Sequence, residues 1–104
     1  MTIILLIDES GRLQKQRIAD ILYVEVVNGD LRFHTPDRAY RLPQTLGEWE
    51  VILAKEGYVR ASRRALVNIN LVKKYDNVVN IAYFDKEGLG KGVKVSRRKA
   101  KEVW

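Results

Sequence analysis

The sequence contains no cysteine among its 104 residues, and only one histidine, two prolines and one methionine. The lack of cysteine excludes a disulfide framework and a thiolate zinc site. The longest purely apolar run, Ile3 to Ile7, has five residues and is far too short to cross a bilayer. It also lacks the charged leader and the small-residue cleavage site of a signal peptide. We therefore expect a cytoplasmic protein that makes no contact with a membrane.

Catalytic motifs are missing as well. His34 lies in a predicted strand and has no second histidine or cysteine with which to bind a metal, so a structural role is favoured. The carboxylates are scattered over turns without an evident acid–base pair. The glycines of GLGKG (88–92) do not have the spacing of a phosphate-binding loop, and they indicate a flexible connection. We expect no enzymatic activity, no cofactor and no bound metal.

The positive charge is concentrated in one half of the chain. The net charge is +6, but residues 1–57 carry 7 Lys/Arg and 9 Asp/Glu, whereas residues 58–104 carry 12 Lys/Arg and 4 Asp/Glu. The first part therefore has a net charge of −2 and the second a net charge of +8. Such a polarised distribution favours a surface that binds a polyanion. The alternative is a basic face that is only solvated and has no partner.

Most of the chain has the pattern of short antiparallel strands. Turn residues recur every 8–12 positions, as in β architectures. The clearest turn is Asn28-Gly29, the strongest short signal for a β-hairpin. The segments predicted as strands are 3–7, 12–18, 21–27, 31–35, 38–42, 58–60, 66–72, 78–84 and 93–96, followed by a basic tail that can turn helical.

One segment has helical spacing instead, and it predicts an amphipathic helix over residues 45–56. Thr45 and Glu48 have the spacing of a capping box, and Gly57 follows as a natural stop. Trp49 is expected to pack in the core. The predicted apolar face consists of Leu46, Trp49, Ile52 and Leu53, which are separated by steps of three, three and one.

Five fragments of the chain, taken in order, resemble the LytTR family, the DNA-binding output domains of many bacterial response regulators. They are ADILYVE (19–25), RFHT (32–35), YRLPQTLGEWE (40–50), YVRASRRALVNINLV (58–72) and VKVSRR (93–98). The resemblance covers nearly the whole chain, and we see no linker, so we expect residues 1–104 to form a single domain. It implies a mainly β fold: an elongated stack of short antiparallel sheets, about ten short strands, and one main helix near residues 45–56.

The resemblance also implies how DNA is bound. Members of the family insert loops between strands into two successive major grooves, and the corresponding loops here are 28–31, 62–64 and 97–99. Base contacts are thereby expected from Arg63, Arg98 and Asn28. For the two arginines the physical reason is that a planar guanidinium can pair with guanine O6 and N7. Phosphate contacts are expected from Ser62, Arg64, Lys73, Lys74, Arg97, Lys99 and Lys101.

The chain departs from the family pattern at three of these positions. Ser62 stands where the family often has histidine, and Arg64 stands where it often has serine. In the first loop Asp30 repels phosphate, and Asn28 or Arg32 can take over that contact. We expect Asn68 to tie a turn or strand end through its amide and to make no contact with DNA.

These features predict sequence-specific binding of double-stranded DNA by a transcriptional regulator. It would be the output domain of a two-component response regulator or a free-standing version of one. Paired or direct-repeat sites are expected, with a receiver domain or a second copy of the chain as further partners. The alternatives are a β domain that binds RNA or single strands, and a protein-interaction domain that sequesters another regulator.

Overall fold

The computed structural model describes residues 2–104, and its ten strands are all paired antiparallel. Seven strands form one sheet in the order β2-β1-β5-β4-β3-β7-β6. Their bounds are β1 Ile3–Ile7, β2 Leu13–Arg17, β3 Tyr23–Val27, β4 Asp30–His34, β5 Ala39–Leu42, β6 Tyr58–Ser62 and β7 Ala65–Asn68.

A smaller sheet in the order β10-β9-β8 is made of β8 Lys74–Asp76, β9 Ile81–Tyr83 and β10 Gly92–Lys94. The chain measures 38 Å along its longest axis and 29 and 26 Å along the others. The expected mainly β fold with ten short strands is confirmed. Within residues 2–104 no helix is long and apolar enough to span a bilayer.

The Asn28-Gly29 turn closes the β3–β4 hairpin as predicted. Val27 pairs with Asp30, and the two turn residues have φ angles of 52° and 84°. Asparagine and glycine tolerate positive φ better than other residues, and a turn of this kind matches the twist of the strands. The local sequence therefore determines both the place and the register of this hairpin.

Helix α1 spans Leu46–Leu53 and continues as a 3₁₀ turn to Glu56, within the predicted range. Gly57 ends it with a φ of 86°. The prediction for Ile52 is wrong, because this side chain is 52% exposed. Neighbouring helical residues point about 100° apart, so Ile52 turns away from the stripe that buries Leu53. The capping box is also wrong: the Thr45 hydroxyl donates to Glu48 Oε1 at 2.7 Å and caps no backbone group.

Two predicted strands end sooner than expected. The strand predicted over 66–72 stops at Asn68, whose Nδ2 donates to Ile21 O at 3.1 Å while its Oδ1 accepts from Asn70 N at 3.2 Å. This amide turns the chain, and the structural role predicted for Asn68 is confirmed. The strand predicted over 78–84 shrinks to β9, because a turn occupies 77–80 and leaves Val78 86% exposed. Strand β8, which lies before that turn, was not among the strands predicted from the sequence.

Each face of the large sheet covers a separate apolar core. Since successive strand residues point to opposite faces, Val24 and Leu66 pack beneath α1 with Trp49, whereas Tyr23 and Val67 face the small sheet. The second core also contains Val103 of helix α2, which spans Ala100–Val103. The large sheet is therefore sandwiched between α1 on one face and the small sheet with α2 on the other.

The single histidine lies where the two sheets meet. His34 Nε2 is 2.6 Å from Glu25 Oε2, and Lys91 Nζ, next to β10, is 3.3 Å from His34 Nδ1. An ammonium group can only donate, so Nδ1 accepts and the neutral ring donates from Nε2 to Glu25. Burial of the ring lowers the pKa of His34 and outweighs the opposite effect of Glu25. The predicted structural role of His34 fits these contacts.

We expect the free energy of unfolding to fall as the pH is lowered from 7.5 to 5.5. The lowered pKa of His34 means that the unfolded chain binds more protons in this window, so stability is lost as the pH falls below the ordinary value of about 6.5. Urea midpoints at a series of pH values measure this dependence. His34→Gln should remove it, since the chain has no other histidine. A midpoint that rises on acidification would show instead that the ring is charged and paired with Glu25.

Candidate nucleic-acid interface

An open, strongly basic cleft lies between the β6–β7 turn and the segment that follows β10. We call it the arginine cleft, and it is lined by Arg60, Ser62, Arg63, Arg64, Ser96, Arg98 and Lys99. Five of the ten residues predicted to contact DNA thus line a single concave surface, although the two segments are more than 30 positions apart in sequence.

The two walls of the cleft are joined through the backbone. Ser96 N donates to Ala61 O at 2.8 Å, and the neighbouring Val95 is only 1% exposed. A 3₁₀ turn over Arg97–Lys99 follows directly and leads into α2. Because Val95 and Val103 are both buried, the basic segment between them is held against the protein while Arg97 and Arg98 remain exposed.

The arginines of the β6–β7 turn are free to contact a ligand. Arg63 and Arg64 are exposed, and within residues 2–104 neither guanidinium has a hydrogen-bond or ion-pair partner. The Ser62 hydroxyl accepts a hydrogen bond from Arg64 N at 3.2 Å, which leaves its own proton available. The turn therefore presents two unpaired cations and one hydroxyl donor.

The Asn28-Gly29 hairpin projects beside the same turn. Val26 N donates to Arg64 O at 2.9 Å, and Glu25 pairs with Ala65 across β3 and β7. Asn28 is two residues beyond Val26 and is exposed. Asp30 at the base of the hairpin has its carboxylate 4.0 Å from Arg41 Nη1, which partly offsets its negative charge.

Two further predicted phosphate contacts, Arg97 and Lys101, lie on the surface next to the cleft, in the 3₁₀ turn and in α2. Lys99 Nζ is 3.3 Å from Glu102 Oε2, an exposed ion pair of the kind that contributes little to stability. The whole segment from Arg97 to Lys101 thus extends the basic surface beyond the cleft.

Lys73 and Lys74 do not join this surface. Lys73 lines a different cleft with Asp20, Asp37 and Arg38, near the start of β3 and the end of β4, whereas the Asn28 hairpin is at their other ends. Lys74 Nζ donates to Glu87 O at 3.4 Å on the small sheet. Both side chains are exposed, but a ligand in the arginine cleft would have to extend across the molecule to reach them.

Arg60 also lines the arginine cleft, although the sequence did not indicate it as a contact residue. Its Nη1 is 2.6 Å from Glu50 Oε1 on α1, and its other nitrogens donate to backbone oxygens of the β6–β7 turn. Three arginines within five residues signal positive charge, but they do not show which of them turns inward. Within residues 2–104 no group of three or more His, Asp or Glu side chains could hold a metal ion.

Comparison with known proteins gives one family and one fold. The model of the LytTr DNA-binding domain family matches residues 11–104. A solved LytTr DNA-binding domain of a response regulator from Bacillus cereus superposes with a TM-score of 0.79 at 21% identity, covering 98% of this chain and 93% of that one. At this identity the superposition shows a common fold. No curated protein matches the chain.

Proposed function

The chain belongs to the LytTr DNA-binding domain family, and from that membership we propose that it binds specific sequences in double-stranded DNA and regulates transcription. The observation that carries the proposal is the arginine cleft, where Arg63, Arg64 and Arg98 converge and have no acidic partner among residues 2–104. Exposed guanidinium groups that are not used inside the protein are suited to guanine edges and phosphates.

The proposed contacts follow from position and exposure. Arg63 and Arg98, on opposite walls of the cleft, would contact bases in the major groove, and Asn28 would contact a base from the neighbouring hairpin. Phosphate contacts would come from the flanking side chains, and they would set the register of the protein on the duplex. These flanking residues are Ser62, Arg64, Arg97, Lys99 and Lys101.

The phosphate contacts proposed for Lys73 and Lys74 depend on how far the bound duplex extends. They can contact phosphate only if the duplex continues past the arginine cleft toward the small sheet. Paired or direct-repeat sites would provide such a longer duplex, with a second copy of the chain on the adjoining site. We propose that residues 1–104 act as one such unit in the bacterial cytoplasm, either free-standing or joined to a receiver domain.

Binding of single strands would require exposed aromatic rings on which bases could stack. Two aromatic side chains near the basic half are engaged within the protein instead, whereas Trp104 at the end of the basic tail is 64% exposed. Phe84 stacks on Tyr23 with ring centroids 5.7 Å apart, and the Tyr75 hydroxyl donates to Asn80 Oδ1 at 3.1 Å. The contacts of Phe84 and Tyr75 therefore favour duplex DNA over the single-strand alternative, and Trp104 is the exposed ring on which a base could stack.

The salt dependence of duplex binding tests the proposal. With about five phosphates neutralised, a plot of log K against log salt should have a slope of about −4 to −5. Fluorescence anisotropy with a labelled duplex at a series of salt concentrations of roughly 50–300 mM measures this slope. Competition with unlabelled single strands separates the two nucleic-acid classes. A slope near zero, or no binding at low salt, would refute a nucleic-acid function and favour a protein-interaction domain.

A further inference from the structure

The β6–β7 turn has an unusual geometry for a two-residue hairpin. Ser62 pairs with Ala65, so Arg63 and Arg64 alone make the turn. Tight turns that match the twist of the strands need positive φ at their first central residue. Among residues 2–104 only Asn28 and Asn80 have positive φ besides four glycines, so both arginines have negative φ. A turn of this kind splays its strands, and the register shifts between Arg60 and Ser62.

The guanidinium of Arg60 occupies the space that this splaying opens. Its Nε donates to Ser62 O at 2.8 Å and its Nη2 donates to Arg63 O at 2.8 Å. Its Nη1 donates to Glu50 Oε1 at 2.6 Å, which ties the turn to helix α1. All three guanidinium nitrogens are thus used within the protein, and two of them hold the carbonyl groups on either side of the Arg63 Cα.

We propose that Arg60 is a positioning residue that presents Arg63 to DNA and does not itself contact it. The inference rests on the proposed function, and it adds a specificity-determining residue to that site. A base contact by Arg63 is stronger when its backbone is already fixed before binding, because each degree of freedom that is lost on binding lowers the affinity. Arg60 fixes that backbone from one side, while the hydrogen bond from Arg64 N to the Ser62 hydroxyl fixes it from the other.

Arg60→Lys tests the proposal, since lysine keeps the charge but its single ammonium cannot hold three acceptors in a planar fork. Affinity for a duplex selected from a random pool should fall by about tenfold, a loss typical of one bidentate base contact. Affinity for scrambled duplex and the salt slope should change little. In Arg63→Ala the same substitution should cause no further loss of discrimination, because the side chain that Arg60 positions is absent.

Arg17→Lys is the matched control. Arg17 also holds its partner through two nitrogens, with Asp20 at 2.8 and 3.2 Å, but it lies on β2 at the opposite edge of the large sheet. Its replacement should leave both affinities unchanged. Glu50→Ala is a second variant that removes only the tether to α1. It should reduce discrimination by a smaller factor in the same direction, without unfolding the protein.

Backbone amide relaxation gives a readout that does not depend on DNA. In Arg60→Lys the order parameters of residues 62–65 should fall from about 0.85 toward 0.6, with the rest of the sheet unchanged. If Arg60→Lys weakens the affinities for selected and scrambled duplex equally, Arg60 does not act through a base contact of Arg63 and the proposal is wrong. It is equally wrong if discrimination and turn order stay at wild-type values. If the wild-type chain binds no duplex, the proposed function fails, while the relaxation data still decide whether Arg60 orders the turn.

Discussion

Replacement of Trp49 with alanine is expected to lower the free energy of unfolding by about 3–5 kcal/mol, the usual cost of truncating a buried tryptophan. The indole is 7% exposed and lies edge-on to Phe33, with ring centroids 5.2 Å apart and an interplanar angle of 81°. Its Nε1 donates to Gln44 Oε1 at 2.6 Å. Alanine would therefore leave a cavity beneath α1 and deprive Gln44 of its partner.

Urea unfolding monitored by far-UV circular dichroism measures this loss. Val51→Ala is the matched control on the same helix, because Val51 is 76% exposed and its replacement should change stability by no more than about 0.5 kcal/mol. Trp49→Phe, which keeps most of the buried ring area, should lose less than Trp49→Ala. If Trp49→Ala keeps wild-type stability and instead abolishes duplex binding, the side chain contacts DNA and the packing described here is wrong.

Removal of the Arg63 or Arg98 side chain is expected to reduce discrimination between the selected site and scrambled DNA by about 1–3 kcal/mol each. Both side chains are exposed on the arginine cleft, so neither Arg63→Ala nor Arg98→Ala should lower the melting temperature appreciably. Arg63→Lys is the sharper variant. It keeps the positive charge and loses the planar fork, so discrimination should fall while the salt slope stays the same.

Lys101→Ala is the comparison, because Lys101 is exposed on α2 beside the cleft. Loss of a phosphate contact should weaken binding to both DNAs alike and lower the salt slope by about one. Lys73→Ala should show the same pattern only if the duplex extends to the far cleft. Equal losses on both DNAs for Arg63→Ala and Arg98→Ala would identify these arginines as phosphate contacts. DNA binding would stand, but the base contacts proposed here would not.

Several features of the protein could be determined from the sequence because their causes are local. The Asn28-Gly29 hairpin depends on two residues that tolerate positive φ, and the position of α1 depends on apolar spacing and on Gly57 as a stop. The order of the five fragments identified the family, and the family match over residues 11–104 confirms it. The uneven charge also indicated which half of the chain carries the basic surface.

Other features were decided only by tertiary structure, since they depend on groups far apart in sequence. The strand predicted over 66–72 ends at Asn68 because the side-chain amide of Asn68 donates a hydrogen bond to Ile21 O, 47 residues earlier. The arginine cleft exists because Ser96 docks on Ala61, and no periodicity shows that Lys73 is excluded from it. Arg60, Arg63 and Arg64 look alike in the sequence. Only Glu50 and the splayed turn separate the one that holds the backbone from the two that are free to bind.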